Sequence, residues 1–335
     1  MSAFTLAHLS DLHVTPIRVR RPLDFLNKRF LGALSWSLRR RKEYRPEVLA
    51  ALVDDLHAQG PDHVVVTGDL TNIALQDEFS ASLPWLQKLG GPQRVSVIPG
   101  NHDTYTHGSE SFPWAYWDDY MRSSIPTDTL PDPAMLPPGF PTADFPTLRI
   151  CGPLALVGVS TARATLPFYA SGTIGQTQLD RLERLLSALA NTPLGRVVLI
   201  HHPPQPIAIS ARRRLTDASA FRAVLAKTGA ELILHGHMHR TVTASIPGPW
   251  GPIPVVGVPA STAMGRRPQR RSRYHLYRIE PHGEGNGRIR FQITLTSRAY
   301  DPRTTGFHHF AEQELSHGLT LDSAASLELE AKQSA

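Results

Sequence analysis

The sequence predicts a layered α/β domain. Three observations carry that expectation: short Val/Ile/Leu-rich runs recur along the chain, helix-periodic segments lie between several of them, and acidic or imidazole side chains follow the runs directly. The runs cover Phe4–Leu9, His63–Val66, 95–98, Leu154–Val159, 197–200, 232–234 and 253–258, bounded by Gly, Pro, Asn or Asp, and read as buried strands. Segment 46–58 opens with a proline and puts Val48, Leu49, Leu52, Val53 and Leu56 on one helical face. Segment 179–189 repeats that spacing at Leu179, Leu182, Leu185, Leu186 and Leu189, and 218–227 follows Asp217 as its cap. In the last third, 241–246, 253–258, 274–279 and 288–296 are separated by turns, which predicts a second, antiparallel sheet beside the first. The expected domain is 1–300, interrupted by insertions at 17–44 and 104–147, with a C-terminal extension over 301–335 whose polar end is expected to be mobile.

Composition narrows the class. With 335 residues and 41% apolar content the chain can bury a sizeable core. Lys and Arg total 35 against 29 Asp and Glu, a net charge of +6, which suits an anionic partner without choosing one. One cysteine, Cys151, excludes an internal disulfide and a thiolate metal site, and beside an apolar run it reads as a buried inert thiol. The start has no basic region or cleavage site of a signal peptide, and no window approaches the roughly 20 apolar residues of a membrane span. A cytoplasmic protein is expected, peripheral to the inner membrane if it meets one.

Five short pieces carry the chemistry: Asp11-Leu12-His13, Gly68-Asp69, Gly100-Asn101-His102-Asp103, His201-His202 and Gly236-His237-Met238-His239. Each follows a strand-like run, and ligands at the carboxyl ends of strands fit the usual placement of sites in α/β sheets. Asp11, His13, Asp69, Asn101, His201, His237 and His239 offer carboxylate, imidazole and amide oxygen, the donor set of hard to borderline divalent metals. Seven such residues exceed one tetrahedral zinc and suit two ions, with Asp69 able to bridge them. A metal pair lowers the pKa of water toward about 7 and neutralises charge on phosphorus, so hydrolysis needs no side-chain base. His102, next to a ligand, can protonate the leaving oxygen or hold a phosphoryl oxygen, and Asp103 can orient its ring from the second nitrogen.

In this order the pieces resemble the signature of the calcineurin-like metallophosphoesterase superfamily, D-x-H, G-D, G-N-H-D/E, H and G-H-x-H, from Asp11 to His239. The flanking forms His-Leu-Ser-Asp-Leu-His, His-His-Pro-Pro and Gly-His-Met-His look most like its bacterial branch containing class III cyclic-nucleotide phosphodiesterases. That resemblance implies a four-layer α-β-β-α sandwich of two mixed sheets. It implies Asp11, His13, Asp69 and His239 on one ion, and Asp69, Asn101, His201 and His237 on the other. His202 then lies behind His201. The ions would be divalent or mixed-valence Mn, Fe or Zn, and the activity hydrolysis of a phosphate ester, foremost a phosphodiester.

Two segments bear on the substrate. In 17–44, Leu23, Leu26, Phe30, Leu34 and Leu38 recur at helical spacing, flanked by Phe25, Leu31 and Trp36 and followed by Arg39-Arg40-Arg41-Lys42. Such a stripe packs on the core or lies on an anionic membrane surface. Superfamily members that hydrolyse UDP-diacylglucosamine are similar in needing an apolar, basic approach, so a lipid-linked pyrophosphate is the alternative substrate and a non-catalytic membrane-surface scaffold the alternative role. Trp114, Tyr116, Trp117 and Tyr120 in the second insertion could stack a nucleobase or pack that segment on the body. No sequence-specific nucleic-acid partner is expected. Asp54-Asp55 and His308-His309 fall outside the pattern and read as surface residues.

Overall fold

A computed structural model of the chain describes residues 3–14, 17, 27–126, 143–265, 270–285 and 288–315. Its strands are β1 (Phe4–Leu9), β2 (His63–Val66), β3 (Val95–Val97), β4 (Thr147–Cys151), β5 (Leu154–Val159), β6 (Gly195–Ile200), β7 (Leu232–His235), β8 (Val242–Ile246), β9 (Ile253–Gly257), β10 (Arg273–Gly285), β11 (Arg288–Asp301) and β12 (Gly306–Glu314). They form two six-stranded sheets, ordered β12-β11-β10-β1-β2-β3 and β4-β5-β6-β7-β9-β8. Both are mixed: β1-β2-β3 and β5-β6-β7-β9 run parallel, and antiparallel strands complete each sheet.

The two-residue period of a strand explains how the second sheet serves two cores. Leu154, Leu156, Val197, Leu199, Leu232, Leu234 and Val256 face the first sheet. Their alternates Ala155, Val157, Val198, Ile200, Ile233 and Val255 face α6 (Gln176–Leu189) and α7 (Ala218–Thr228). On the far side, α3 (Pro46–Gln59) buries the predicted Val48, Leu49, Leu52, Val53 and Leu56, and α4 (Gln76–Leu89) packs beside α5 (Phe112–Met121). The layers are therefore α-β-β-α, as the resemblance implied.

Three expectations change, and one open alternative is decided. The strands of the last third do not make a sheet of their own: β10 pairs with β1, while β8 and β9 join the second sheet through β7. β12 pairs with β11, so the first sheet continues past residue 301 to Glu314; residues 316–335 lie outside the described residues. Asp217 stands at the start of α7 but does not cap it, because its carboxylate accepts the backbone N–H groups of Ile174 and Gly175. The aromatics of α5 are core: Tyr116 stacks on Phe79, Trp117 is fully buried, and its indole donates to Ser82.

The first insertion forms α1 (Arg29–Ser35), a π-helical turn (Trp36–Arg40) and α2 (Arg41–Glu43). Its small face docks: Gly32 lies against Ile73 and Tyr105, where a Cβ would come within 2.5 Å of the Ile73 side chain. Arg29 donates to the carbonyls of Ile73 and Ala74. The apolar stripe faces outward instead, with Phe30 56%, Leu34 46% and Leu38 66% exposed. Leu23, Phe25 and Leu26 lie outside the described residues. Asp55 of α3 is no idle surface group, since it forms a two-pronged ion pair with Arg298 and accepts from the Tyr274 hydroxyl, tying the helix to the sheet.

Candidate metal centre

All five motifs meet where the two sheets abut, at the carboxyl ends of β1, β2, β3, β6 and β7. The loops after β1, β2 and β7 are too tight for ordinary backbone. Asp11, His13, Asp69, His237 and His239 all take left-handed φ, between 42° and 67°, a region that costs a non-glycine residue roughly 1–2 kcal/mol. Such strain gathers at functional sites. The motif glycines let the loops approach: a Cβ on Gly100 would sit 2.2 Å from Asp69 Oδ1, and one on Gly236 would sit 1.9 Å from Ser10 Oγ.

Potential ligand atoms fall in three groups whose members lie within 4.8 Å of one another: Asp11–His13–His239, His13–Asp69–His102 and Asp69–His201–His237. Asn101 Oδ1 joins the third group, 2.9 Å from His237 Nδ1 and 3.2 Å from His201 Nε2. The structure thus brings together all seven predicted ligands, with Asp69 between the two halves.

One nitrogen of each candidate imidazole is anchored by a hydrogen-bond partner. A carbonyl only accepts, so the ring nitrogen facing one carries a proton and the other nitrogen is turned into the cluster. His13 Nδ1 faces Thr71 O at 2.9 Å, His201 Nδ1 faces Thr67 O at 2.6 Å, and His237 Nε2 faces Arg213 O at 2.9 Å. His239 differs, its Nδ1 lying 3.1 Å from the Tyr44 hydroxyl. His202 has both nitrogens engaged, by Thr161 Oγ1 and Ala170 O, which supports His201 as the ligand of that pair.

The donors fit cations. Asp11 and Asp69 are fully buried, and burial opposes their ionisation, yet neighbouring histidines outweigh it and hold both below the usual carboxylate range. Burial likewise works against a charged His201, but the Asp69 carboxylate raises it to about 9. A proton on His201 therefore does for Asp69 what a metal ion would do, and binding the metal displaces it. His13 Nε2 is buried with no hydrogen-bond partner, and buried Asp11 Oδ1 has only the His239 ring, 3.1 Å away, facing it. A buried acceptor left unpaired is costly, and a cation shared by these lone pairs satisfies it.

His102 and Asp103 are adjacent in sequence and separate in role. His102 Nδ1 faces Asn72 O at 2.5 Å, while Nε2 lies 3.1 Å from Arg40 Nη1. Burial, then the Arg40 charge, push His102 well below its ordinary pKa. Asp103 does not orient that ring. Its carboxylate accepts the backbone N–H groups of Asp69, Gly100 and Thr71 and the Thr71 hydroxyl, at 2.8–3.0 Å, so it clamps the loop after β2 to the loop after β3. Burial, then the charge of Asp69, raise it to about 7.

Sequence reasoning missed the supporting groups. Buried Glu78 accepts the N–H groups of Asn72, Ile73 and Leu75, shaping the loop whose carbonyls orient His13 and His102. Its one signal was a glutamate set to reach back to the start of a helix. Arg40 and Tyr44 come from the insertion and belong to no motif. Cys151 is a free thiol that burial pushes up to about 12, as its inert reading requires.

The fold and the site together define a metal-dependent phosphoesterase. The profile of the calcineurin-like phosphoesterase family matches residues 4–241, most of the chain, and the chain belongs to that family. A probable cyclic nucleotide phosphodiesterase of Rhodococcus erythropolis is 28% identical over 249 residues, covering 72% of this chain and 67% of that protein. A cAMP/cGMP dual specificity phosphodiesterase of Mycobacterium tuberculosis is 26% identical over 270 residues, 78% of this chain and 66% of that one. The chain spans about two thirds of the length of these two relatives. In fold it resembles a dimetal phosphatase from Danio rerio, with a TM-score of 0.53 at 12% identity over 94% of this chain and 99% of that one. Among the described residues no helix is long and apolar enough to cross a membrane.

Proposed function

We propose that the chain is a dinuclear metal-dependent phosphodiesterase whose catalytic domain runs through β12 to Glu314. The observation that carries this reading is the pair of donor groups sharing Asp69, each imidazole aimed by a partner on its other nitrogen. Asp11, His13, Asp69 and His239 would hold one ion, and Asp69, Asn101, His201 and His237 the second. Mn, Fe and Zn all accept this mixed nitrogen and oxygen set. When bound, such a pair acidifies water and polarises the phosphoryl group. The protein's part is positional: His102, anchored on Asn72 O, presents Nε2 to the leaving oxygen. An incoming phosphate charge favours the imidazolium, which keeps Nδ1–H on Asn72 O and donates its other proton. Asp103 acts through the loops it clamps. The named relatives favour a phosphodiester, a cyclic nucleotide among the candidates.

With Mn²⁺, the protein should hydrolyse bis(p-nitrophenyl) phosphate. Asp69→Ala should abolish turnover, and His102→Ala should lower it about 10²–10⁴-fold, the range for lost general acid catalysis. No turnover with Mn²⁺, Fe²⁺ or Zn²⁺ would remove the enzymatic reading and leave a scaffold. A screen of cyclic nucleotides, glycerophosphodiesters and nucleotide-lipid pyrophosphates assigns the ester.

The outward stripe Phe30, Leu34 and Leu38, beside exposed Arg41 and Lys42, favours a second reading in which an anionic membrane or a lipid-linked pyrophosphate meets this face at the cytoplasmic side. Anionic vesicles should pellet the protein, and Leu34→Ser/Leu38→Ser should release it. Equal recovery with neutral vesicles removes the lipid reading and leaves the phosphodiesterase untouched.

A further inference from the structure

The metal-binding pattern has no use for Arg40. Its Nη1 lies 3.1 and 3.3 Å from the two ring nitrogens of His102, so the guanidinium sits across the imidazole edge. No hydrogen bond engages Nε or Nη2, and no carboxylate pairs with the side chain among the described residues. Arg40 is also held there. The turn that ends in it follows a helix locked on the body by Gly32 and Arg29, and four residues on Tyr44 is buried against His239. A partly buried cation beside imidazoles is unfavourable, and two divalent ions would make it more so. The donor set brings two carboxylates, Asp11 and Asp69, against four positive charges of a metal pair, and Arg40 adds a fifth. What balances such a site is an anion, and it balances best when that anion carries more than one charge.

We infer that Arg40 is a substrate-binding residue, its guanidinium taking a non-bridging oxygen of the phosphoryl group on the side where His102 meets the leaving group. The inference rests on the phosphoester reading and deepens it. A phosphodiester enters with one negative charge, gains a second as water adds at phosphorus, and leaves a monoester and an alcohol. Arg40 therefore binds the transition state and the product more tightly than the substrate, and its loss falls on kcat as well as KM. Lysine keeps the charge and loses the planar fork.

The test uses metal-loaded wild type, Arg40→Gln and Arg40→Lys, with Arg184→Gln on the outer helix layer as a charge control. Metal per chain, phosphate affinity by calorimetry, and kcat and KM on bis(p-nitrophenyl) phosphate are measured. Arg40→Gln should keep its metal and lose about ten- to a hundredfold in both phosphate affinity and kcat/KM, the range of one charge-assisted hydrogen bond. Arg40→Lys should fall between, and Arg184→Gln should match wild type. Unchanged phosphate affinity in Arg40→Gln overturns the inference, as does a loss that appears only together with loss of metal. Wild type that binds phosphate through Arg40 yet cleaves no ester refutes the phosphodiesterase reading and leaves this one standing.

Discussion

Replacing Asp103 by asparagine separates a clamp from a catalytic orienter. The carboxylate receives four hydrogen bonds: Asp69 N and Gly100 N on Oδ2, and Thr71 N and Thr71 Oγ1 on Oδ1. Asparagine does best by keeping its oxygen at the Oδ2 position and turning its NH₂ toward Thr71. The Thr71 hydroxyl can still donate to His102 O, 2.8 Å away, but Thr71 N–H then faces another donor. One unsatisfied buried N–H costs about 1–3 kcal/mol, and turning two charge-assisted bonds into neutral ones costs about 1 kcal/mol each. The sum is about 3–5 kcal/mol, a large share of a typical stability of about 5–15 kcal/mol. At a urea slope of about 3 kcal/mol/M the midpoint should fall by about 1–1.7 M. Urea unfolding of metal-free wild type and Asp103→Asn, followed by circular dichroism, reads this directly. An unchanged midpoint with a lowered kcat would mean that Asp103 serves His102 after all, and the clamp argument would fail.

Tyr44→Phe should keep the fold and weaken metal binding about tenfold or more, because His239 loses the group that sets its ring; calorimetric titration with Mn²⁺ checks it. Glu78→Gln should cost about 2–4 kcal/mol, since one of two acceptor oxygens serving three buried N–H groups becomes a donor; the urea midpoint reports it. Stability should fall in acid. Burial lowers His63 and His275 to about 3 from an unfolded value near 6.5, so below pH 6.5 the unfolded chain binds protons the native one refuses. Each imidazole then contributes fully above pH 6.5 and loses about 1.4 kcal/mol per pH unit down to about 3. Urea midpoints at pH 7.5 and 5.0 measure the loss, which His275→Gln should reduce; an equal loss in that variant would clear His275 of the effect.

The legible part of the site was the part made of side chains at strand ends. The seven candidate ligands and His102 announce themselves because motif spacing and strand ends coincide in sequence. Their orienting partners Thr67, Thr71, Asn72 and Arg213 act through carbonyl oxygens, which every residue has. Arg40 and Tyr44 act from an insertion whose composition advertised a different property, its apolar stripe. In the fold, β4 escaped notice because it carries a buried arginine, Arg149, that donates to backbone carbonyls of Arg122 and Asp119. β12 escaped because an exposed edge strand is polar along most of its length. The two-sheet partition was illegible for a deeper reason: whether a hairpin-like strand pairs with β1 or with β9 depends on contacts distant in sequence.

Backbone strain links these layers. Five of the seven predicted ligands hold left-handed φ at roughly 1–2 kcal/mol each, so the loops together store about 5–10 kcal/mol. Two things keep them so. Glycines let the loops press together, and Asp103 and Glu78 spend buried carboxylates on backbone N–H groups that would otherwise be unpaired. Those devices act on the loops after β2 and β3; the loop after β1 is tied to the loop after β2 where Asp11 N–H donates to Gly68 O and His13 N–H to Asp69 O, and the loop after β7 is tied to the loop after β1 where His237 N–H donates to Asp11 Oδ2. Metal binding is worth about 10–16 kcal/mol in structural zinc sites, the same order as the strain. The protein thus holds the ligands in geometry before a cation arrives, and the cation's free energy offsets a conformation that the sheets and clamps already enforce. Weakening a clamp should therefore lower metal affinity as well as stability, whereas removing a ligand should lower affinity and relieve strain. Asp103→Asn and His239→Gly make that pair: the first should lose in both measurements, and the second, whose ring accepts no loop N–H, should lose Mn²⁺ binding while its metal-free form gains stability. Equal destabilisation of both metal-free variants would mean that the left-handed loops carry no stored strain.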